Sequence, residues 1–433
     1  MSEKPYRIAI AGLGTVGLGL IDLLQTNAAL IMARTGRPIE VIGINARNRT
    51  KDRGLDLSAY PWIDDAADMP GLEGIDAVVE LIGGDSGPAL TLARKTLGAG
   101  KDFITANKAL LAIHGAELAE LAEANNCAIA YEAAVAGAIP AIKVVREALA
   151  GNAISKVGGI LNGTCNYILS AMESTGAAYA DVLKEAQDLG YAEADPTTDV
   201  GGFDAAHKLT LLASLAFGHV PDFDACQVSG IDGVSDRALA YAAKLGFRIR
   251  LIGLATPGGN KSHMRVEAMA VPSESMLGLT VGSHNAVQIL ADQADEIFLK
   301  GPGAGRSQTA SAVAGDLIDL ARGQARPVFG AALADLEALP ARDGAGAAQE
   351  TRLCILQVKD EPGIMAALTQ VLAAHEVSVD QLMQPGGHDG TSDLALITHP
   401  TSSDKVASAL AAVGEQDFLV SPLESYRIER FEA

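Results

Sequence analysis

The sequence predicts an α/β protein in three parts: a doubly wound parallel sheet, an α+β part built on an open sheet, and a small βαββαβ unit. A glycine-rich turn directly behind the first apolar strand predicts the first part. Longer strand and helix patterns after residue 153 predict the second part, and the alternation of elements from residue 350 predicts the third. With 433 residues, the chain is long enough for two or three domains with separate cores.

The composition narrows the classes of ligand and location. The formal net charge of −20 argues against nucleic acids and anionic membranes as partners and favours small molecules. Four widely spaced cysteines without a CxxC motif predict reduced thiols in a cytoplasmic protein. The N-terminus enters a strand without a basic leader, and no uninterrupted run reaches about 18 apolar residues. We therefore expect neither a signal peptide nor a membrane span.

The first strand, Tyr6 to Ala11, runs into a turn of the form G-x-G-x-x-G and then into a helical pattern. In this context the first glycine permits a tight turn, the second lets a pyrophosphate approach the backbone, and the third lets helix and strand pack closely. Free amides at the helix N-terminus favour phosphate. We predict a Rossmann-type dinucleotide-binding fold, with a plain glycine turn as the alternative. The predicted cofactor contacts are the residues of this turn: Gly12, Leu13, Gly14, Thr15, Val16 and Gly17.

The end of the second strand, Ile39 to Ile44, bears on the choice of cofactor. Sites that select NAD place an acid there, whereas an arginine suits the 2′-phosphate of NADP. Asn45 stands in place of an acid, and Arg47 and Arg49 follow it. This favours NADP and leaves the use of NAD open, with solvated loop arginines as the alternative interpretation.

Later strand–helix units add two candidate sites. Thr105 and Lys108, at a corner behind a strand, are candidate cofactor contacts. Lys108 is placed to meet the nicotinamide ribose or a substrate carboxylate, with a solvated charge as the alternative. Glu132 precedes a loop of small residues with Gly137, an oxygen-rich setting of the kind that accepts Na⁺ or K⁺. A tight turn is the simpler explanation. Pro140 then opens the helix that leads into the second part.

The second part carries two loops of interest. Cys165 lies in a small polar loop at a helix start, where the pKa of a thiol can fall, but no histidine is near it in the sequence. A glycine-rich loop from Gly301 to Ala310 precedes an apolar helix that we expect to pack back on the first part. This loop is either a connector or a backbone wall against the nicotinamide, and Gly305 is its candidate cofactor residue. Residues 241–256, 261–272 and 286–305 are expected to contribute strands.

The stretch from Gly190 to Lys208 concentrates charge ahead of an apolar helix. Its acidic residues are Glu193, Asp195, Asp199 and Asp204. If the helix begins near Gly202, Asp204 and Lys208 lie on the stripe that later becomes apolar. Burial and neighbouring carboxylates have opposite effects on the pKa of an ammonium, so a half-buried pair of this kind can tune a proton donor. A surface ion pair at a helix start is the alternative.

These patterns predict four segments. Residues 1–140, completed by 301–322, form a dinucleotide-binding domain, and residues 141–300 form a substrate-binding and dimerisation domain. Residues 323–349 are rich in Pro, Ala and Gly, which predicts a linker. Residues 350–433 form a ferredoxin-like unit whose corner, Asp360 to Gly363, suits ligand sensing or dimerisation better than catalysis.

Five stretches together resemble homoserine dehydrogenases, in order over residues 5–322. They are the GxGxxG turn, TANK, ILNGTCNYIL, GYAEADPTTDVGGFDAAHK and GPGAGRSQTASAVAGDLI. The last unit is similar to ACT domains, which bind amino acids, through its DEPG corner. The resemblance implies a monofunctional enzyme that reduces L-aspartate 4-semialdehyde to L-homoserine with NADPH or NADH. This reaction lies on the route to threonine, methionine and isoleucine.

The resemblance also implies roles for single residues. Lys208 matches the catalytic lysine, the general acid for the aldehyde oxygen, with Asp204 as its partner, and Arg47 matches NADP-using members. The substrate contacts fall on Glu193, Asp199, Asp204 and Lys108, the first two on the side of the amino group. Lys108 also matches a lysine near the nicotinamide. An alkali-metal loop falls on Glu132, Val135, Gly137 and Ile139. Two residues receive no role: Asp195 and Cys165.

Two other functions stay open at this point. An aspartate-semialdehyde dehydrogenase would share the substrate and the nucleotide fold, but it needs a thiol nucleophile such as Cys165 and phosphate. A catalytically silent amino-acid sensor would use only the last unit. For the enzyme itself we expect a homodimer or homotetramer, with an amino acid, threonine by expectation, as effector.

Overall fold

The computed structural model describes residues 4–193, 195–259, 261–336, 349–385 and 389–432. The chain forms a five-stranded parallel sheet and a long mixed sheet, each covered by helices. The predicted α/β class is confirmed.

The parallel sheet has the strand order β2-β1-β3-β4-β5. Its strands are β1 (Tyr6–Ala11), β2 (Ile39–Asn45), β3 (Ala77–Glu80), β4 (Asp102–Thr105) and β5 (Ile129–Ala130). The helices around it are α1 (Thr15–Thr26), α2 (Ala28–Thr35), α3 (Pro88–Gly98) and α4 (Lys108–Ala124), with 3-10 turns at Ala66–Gly71 and Glu132–Ala134. The chain moves outward from β1 in both directions. A crevice for a ligand therefore opens at the carboxyl ends of the strands, beside β1.

A late helix packs against this half of the chain. Helix α11 (Arg306–Ala321) packs along α1, where Gly19 lies so close to the carbonyl of Arg306 that a Cβ would stand 2.7 Å from it. Val313 and Leu317 share one buried cluster with Ile8 of β1. The first strand and this late helix thus share a single core.

The middle of the chain forms the mixed sheet. Its strands are β6 (Ile154–Ile160), β7 (Cys226–Val228), β8 (Phe247–Gly258), β9 (Lys261–Pro272), β10 (His284–Ala291) and β11 (Asp295–Pro302). The helices are α5 (Ala141–Lys143, continued by a π turn at Val144–Ala148), α6 (Gly163–Thr175), α7 (Tyr179–Asp188), α8 (Thr197–Val200), α9 (Phe203–Phe217) and α10 (Asp236–Lys244), with a 3-10 turn at Phe223–Ala225. Helix α9 lies across β6, β8 and β9, and Leu209, Leu211 and Leu212 are fully buried there.

The end of the chain has the predicted βαββαβ order. This order is formed by β13 (Arg352–Lys359), α13 (Ile364–Ala374), β14 (Val379–Met383), β15 (Thr391–Thr398), α14 (Ser403–Gly414) and β17 (Glu424–Ile428). A short helix, α12 (Leu333–Leu336), lies in the predicted linker, and β12 (Gln349–Glu350) and β16 (Thr401–Ser402) form a separate two-stranded sheet. The strands follow one another as β17-β13-β15-β14, and β17 also pairs in parallel with β9. The terminal unit therefore extends the mixed sheet, which the sequence did not predict.

One predicted strand segment is helical, and part of the predicted linker is buried. Residues 241–244, predicted as strand, belong to α10, because the Ser235 hydroxyl caps this helix by accepting from the Ala238 amide at 2.9 Å. Within the predicted linker, Val328 and Phe329 are buried and the Tyr131 hydroxyl donates to the Val328 carbonyl. Residues 337–348 of that linker lie outside the described residues.

In the described ranges no single helix is both long and apolar enough to cross a bilayer. Helices α1 and α2 meet the criterion only as a pair, and this pair is bent by 78°.

Candidate active site

The glycine turn behind β1 forms a cradle for a dinucleotide. Gly12 has a φ of +104°, and a Cβ there would lie 2.3 Å from the carbonyl of Leu81. A Cβ on Gly17 would lie 2.0 Å from the carbonyl of Gly12, whereas Gly14 faces open space. Helix α1 starts at Gly14 without a side-chain cap, so its amides are available. The geometry fits a pyrophosphate at this helix terminus.

At the end of β2, Asn45 occupies the position where sites that select NAD carry an acid. Asn45 turns its amide nitrogen to the carbonyl of Ile63 at 2.8 Å, and Arg47 is exposed. Arg53 lies over the Trp62 ring and donates to the carbonyl of Leu13 in the glycine turn at 3.3 Å. Arg53 and Trp62 were missed from the sequence because nothing in their spacing indicates that the loop folds back onto the turn.

The corner behind β4 places Lys108 at the same edge of the sheet. The Asn107 side chain caps α4 by accepting from the Leu110 amide at 3.1 Å, and its nitrogen donates to the Gly84 carbonyl at 2.6 Å. Thr105 is fully buried, and its hydroxyl donates to Glu80 at 2.6 Å. Any contact of Thr105 with a cofactor would therefore come from its main chain.

Lys208, Asp204 and Lys108 meet in one cluster, which we call the buried triad. Gly202 caps α9 with a φ of +86°, so Asp204 stands in the first turn and Lys208 one turn later. The Lys208 Nζ lies 2.6 Å from Asp204 Oδ2, and the Lys108 Nζ lies 3.0 Å from Asp204 Oδ1. Asp204 is 6% and Lys208 8% exposed, so the pair is more deeply buried than the expected half-buried pair, and it is not a surface ion pair.

The charges of the buried triad support one another. Burial alone would raise the pKa of Asp204, but the ammonium groups of Lys208 and Lys108 and the hydrogen bonds it accepts hold that pKa well below its usual range. The Asp204 carboxylate in turn raises the pKa of Lys108 against the effect of burial. Asp204 therefore stays ionised at neutral pH and holds two cations at one point.

One N–H of Lys208 is left for a ligand. An ammonium has three donors. Asp204 accepts one, and the main-chain carbonyl of Leu161, just behind β6, accepts a second at 2.8 Å. No third acceptor for Lys208 occurs among the described residues. The arrangement can therefore present a directed N–H to a developing oxyanion.

Asn162 links the triad to the other acids of the 190–208 stretch. Its Nδ2 donates to Asp199 Oδ1 and to Asp204 Oδ2, both at 2.8 Å. Burial and the charge of Asp204 raise the pKa of Asp199. Glu193 is exposed, and Asp195 accepts from the amide and the hydroxyl of Thr197, which explains it as a local turn residue. Asn162 was missed as a site residue, although its place at a helix start was a usable signal.

Cys165 does not have the surroundings of a nucleophile. Its side chain is fully buried, its amide donates to Asn162, and its Sγ donates to the carbonyl of Asp199 at 3.1 Å. Burial raises the pKa of the thiol well above its usual value. A thiolate is therefore disfavoured.

Replacing Cys165 by serine is expected to leave kcat within about threefold of the wild type, because the thiol only packs and donates to one carbonyl. Steady-state rates with and without phosphate measure this. Loss of activity together with a requirement for phosphate would instead support an aspartate-semialdehyde dehydrogenase.

The small-residue loop before Pro140 offers carbonyl oxygens rather than a side-chain site. Both carboxylate oxygens of Glu132 already accept amides, from Ile142 and Lys143, at 2.9 Å each. Burial and the nearby Asp316 raise the pKa of Glu132 to about 7. The carbonyls of Val135 and Gly137 accept no hydrogen bond from the described residues. Ile139 is buried behind them. No group of three or more His, Cys, Asp or Glu side chains suited to a metal was found in the described ranges.

A glycine turn that fits a dinucleotide, together with the Lys108, Asp204 and Lys208 cluster, is typical of an oxidoreductase that uses a nicotinamide cofactor. Family models described as homoserine dehydrogenase and its NAD-binding domain match residues 140–318 and 12–132. The homoserine dehydrogenase of Neisseria gonorrhoeae is 40% identical over 98% of this chain and 99% of its own length. The chain belongs to the homoserine dehydrogenase family and is an NAD(P)-dependent oxidoreductase.

Solved structures agree with this assignment. A homoserine dehydrogenase from Thiobacillus denitrificans superposes with a TM-score of 0.91 at 38% identity, covering 99% of each chain. A hyperthermophilic archaeal homoserine dehydrogenase in complex with NADPH has a TM-score of 0.63 at 28% identity and covers 73% of this chain and 97% of its own. The likeness to the Thiobacillus denitrificans structure extends over both sheets, since it covers 99% of this chain.

Proposed function

We propose that this chain reduces L-aspartate 4-semialdehyde to L-homoserine with NADPH, and that Lys208 is the general acid. The observation that carries the proposal is the third N–H of Lys208, which has no acceptor in the described part of the chain while Asp204 and Leu161 hold the other two. Such a fixed donor acts where charge develops on the reacting oxygen. The reaction would serve the synthesis of threonine, methionine and isoleucine in the cytoplasm.

The buried triad divides the work between its members. NADPH held at the glycine turn from Gly12 to Gly17 would supply a hydride to the aldehyde carbon, and negative charge would then develop on the aldehyde oxygen. Lys208 donates one proton to that oxygen, so the alcohol forms and a neutral amine remains to be reprotonated. The Asp204 carboxylate holds the Lys208 side chain in the same orientation before and after the proton transfer. In the oxidation of homoserine the neutral amine takes the proton back.

The substrate is a zwitterion, and the site has charges for both of its ends. Asp199 and Glu193 provide negative charge for the ammonium group. Lys108, whose side chain is 36% exposed, provides positive charge for the carboxylate. The same groups place the aldehyde next to Lys208, since Lys108 and Lys208 share the Asp204 carboxylate.

Oxidation of NADPH in the presence of the semialdehyde, with homoserine identified as product, tests the proposal. Absence of turnover by a folded protein that still binds an amino acid would favour the silent sensor. A product formed only with phosphate would favour the aspartate-semialdehyde dehydrogenase.

Cofactor preference is proposed to depend on Arg47. Replacing Arg47 by alanine is expected to raise KM for NADPH about tenfold and to change KM for NADH less than twofold, because a charge-assisted hydrogen bond to the 2′-phosphate contributes about 1.5–3 kcal/mol. Initial rates with both cofactors measure this. Arg34→Ala is the matched control, since Arg34 is also an exposed arginine of this half of the chain. Equal changes for NADPH and NADH would contradict the proposal.

An alkali ion is proposed at the loop that holds Glu132, Val135, Gly137 and Ile139. Because the Glu132 carboxylate is occupied, main-chain carbonyls would hold Na⁺ or K⁺ and stabilise the loop. A melting temperature that is the same in sodium, potassium and a bulky organic cation at equal ionic strength would exclude the ion.

Regulation is proposed for the terminal unit, which we take as an ACT domain that binds threonine. Its support is the βαββαβ order and the corner before α13, where Gly363 has a φ of +98°. Threonine titrations of the full-length enzyme, by calorimetry and by inhibition, test this, and absence of binding would exclude it. A homodimer or homotetramer is also proposed, and light scattering would measure its mass.

A further inference from the structure

Asn285 is a buried polar side chain that the sequence left without a role. It stands near the start of β10, whose antiparallel register pairs Ala286 with Ile160 of β6. Leu161 follows directly, so the sheet brings Asn285 to its main chain. The Nδ2 of Asn285 donates to the Leu161 carbonyl at 2.9 Å, and the residue is 1% exposed. A carbonyl can only accept, so the amide nitrogen must face it.

The same carbonyl accepts from Lys208 at 2.8 Å. A carbonyl oxygen has two lone pairs, and the donors from β10 and α9 use both of them. Asn285 and Lys208 thus meet at a single peptide group. The direction of one N–H of Lys208 depends on where this group is held.

On its other side, Asn285 contacts the loop that returns to the dinucleotide-binding half. Residue pairing places Asn285 opposite Gly301 of β11. A Cβ on Gly303 would lie 2.1 Å from the Asn285 amide carbon, so only glycine fits there without a shift. The chain then passes through Gly305 into α11, which packs on α1. Asn285 therefore lies between the Leu161 carbonyl, which also accepts from Lys208, and the glycine-rich loop that leads into α11.

We propose that Asn285 is a positioning residue that fixes the Leu161 carbonyl and so aims the Lys208 ammonium at the reacting oxygen. This inference rests on the proposed function, since it takes Lys208 as the acid. Without the amide donor, one lone pair of the carbonyl lacks a partner and the peptide group can tilt. A small misplacement of an acid lowers the rate strongly, by as much as about 10²-fold per ångström.

Other titratable groups around Lys208 contribute to the pH dependence that a test would measure. On its own helix these are Asp204 and His207, whose pKa is lowered by burial. From the neighbouring elements they are Lys108, Asp199 and the thiol of Cys165. All of them stay in place when Asn285 alone is replaced, so a new titration can be assigned to the new side chain.

Asn285→Ala is expected to lower kcat for reduction about 30-fold, an effect of misalignment, with KM for NADPH within twofold of the wild type. Asn285→Asp has the same shape. Its protonated carboxyl can donate to Leu161 and its ionised form cannot. The Asp variant is therefore expected to approach wild-type kcat in acid and to lose activity as its carboxyl ionises, which adds a descending limb that the wild type lacks. A purely structural role would not produce this limb.

The matched control is Asn166, another amide that is 1% exposed and donates to the carbonyls of Thr280 and His284 beside the same strand, without contact to Lys208. Asn166→Ala and Asn166→Asp are expected to keep the wild-type pH profile.

Three results would each overturn the proposal: wild-type kcat in Asn285→Ala, a wild-type pH profile in Asn285→Asp, or the same descending limb in Asn166→Asp. If Asn285→Ala does not fold, the profile of Asn285→Asp decides. Full turnover of Lys208→Met would refute the assigned acid, whereas an inactive Lys208→Met with unaffected Asn285 variants would refute only this inference.

Discussion

Replacing Lys208 by methionine is expected to lower kcat for reduction of the semialdehyde about 10³-fold while NADPH binds as before. General acid catalysis contributes about 10²–10⁴-fold, and the third N–H of Lys208 has no acceptor among the described residues while Leu161 and Asp204 hold the other two. Methionine keeps the length of the side chain but cannot donate, and Asp204 keeps Lys108 as its partner. Single-turnover rates and cofactor titrations separate chemistry from binding.

Lys184 gives the matched control for this variant. It forms an i,i+4 pair with Asp188 at 3.0 Å on the surface, where its side chain is 75% exposed. Lys184→Met is expected to leave kcat unchanged, because exposed pairs of this spacing contribute little. Near wild-type turnover in Lys208→Met would remove the lysine from the mechanism.

Replacing Asp204 by asparagine is expected to have the second large effect, on activity and on stability together. The change leaves two ammonium groups facing each other without their shared anion, and breaking a buried pair costs about 3–5 kcal/mol. We expect kcat/KM to fall about 10²-fold or more. We expect the free energy of unfolding to decrease by about 3–5 kcal/mol. Denaturant titrations and initial rates measure the two effects.

The low pKa of Asp204 also predicts how the free energy of unfolding changes with pH. The pKa of Asp204 is lower in the folded than in the unfolded protein, where it is about 3.9. The stabilisation is therefore present above about pH 4 and is lost as the pH falls toward the lower, folded pKa. Asp204→Asn should lack this acid-dependent component, whereas Asp188→Asn on the surface should retain it. An unchanged acid profile in Asp204→Asn would show that the carboxylate is not held ionised by the lysines.

Much of the fold was predictable because it depends on local patterns. The G-x-G-x-x-G turn indicated the position of the first strand and helix, since Gly12 and Gly17 leave no room for a side chain and Gly14 leaves open space for a phosphate. The βαββαβ order followed from alternating apolar segments. The pairing of β17 with β9 was not predictable, because which strand edges meet is decided by the packing of whole units.

In the candidate site, too, local contacts were predictable from the sequence and contacts between separate elements were not. The sequence by itself determined the pair of Asp204 and Lys208, because helix geometry brings residues four apart together whatever surrounds them. Only the tertiary structure decided that Lys108 completes the cluster, and that the carbonyl of Leu161 holds Lys208. Those contacts join separate elements through sheet register and helix packing. No short-range pattern encodes them.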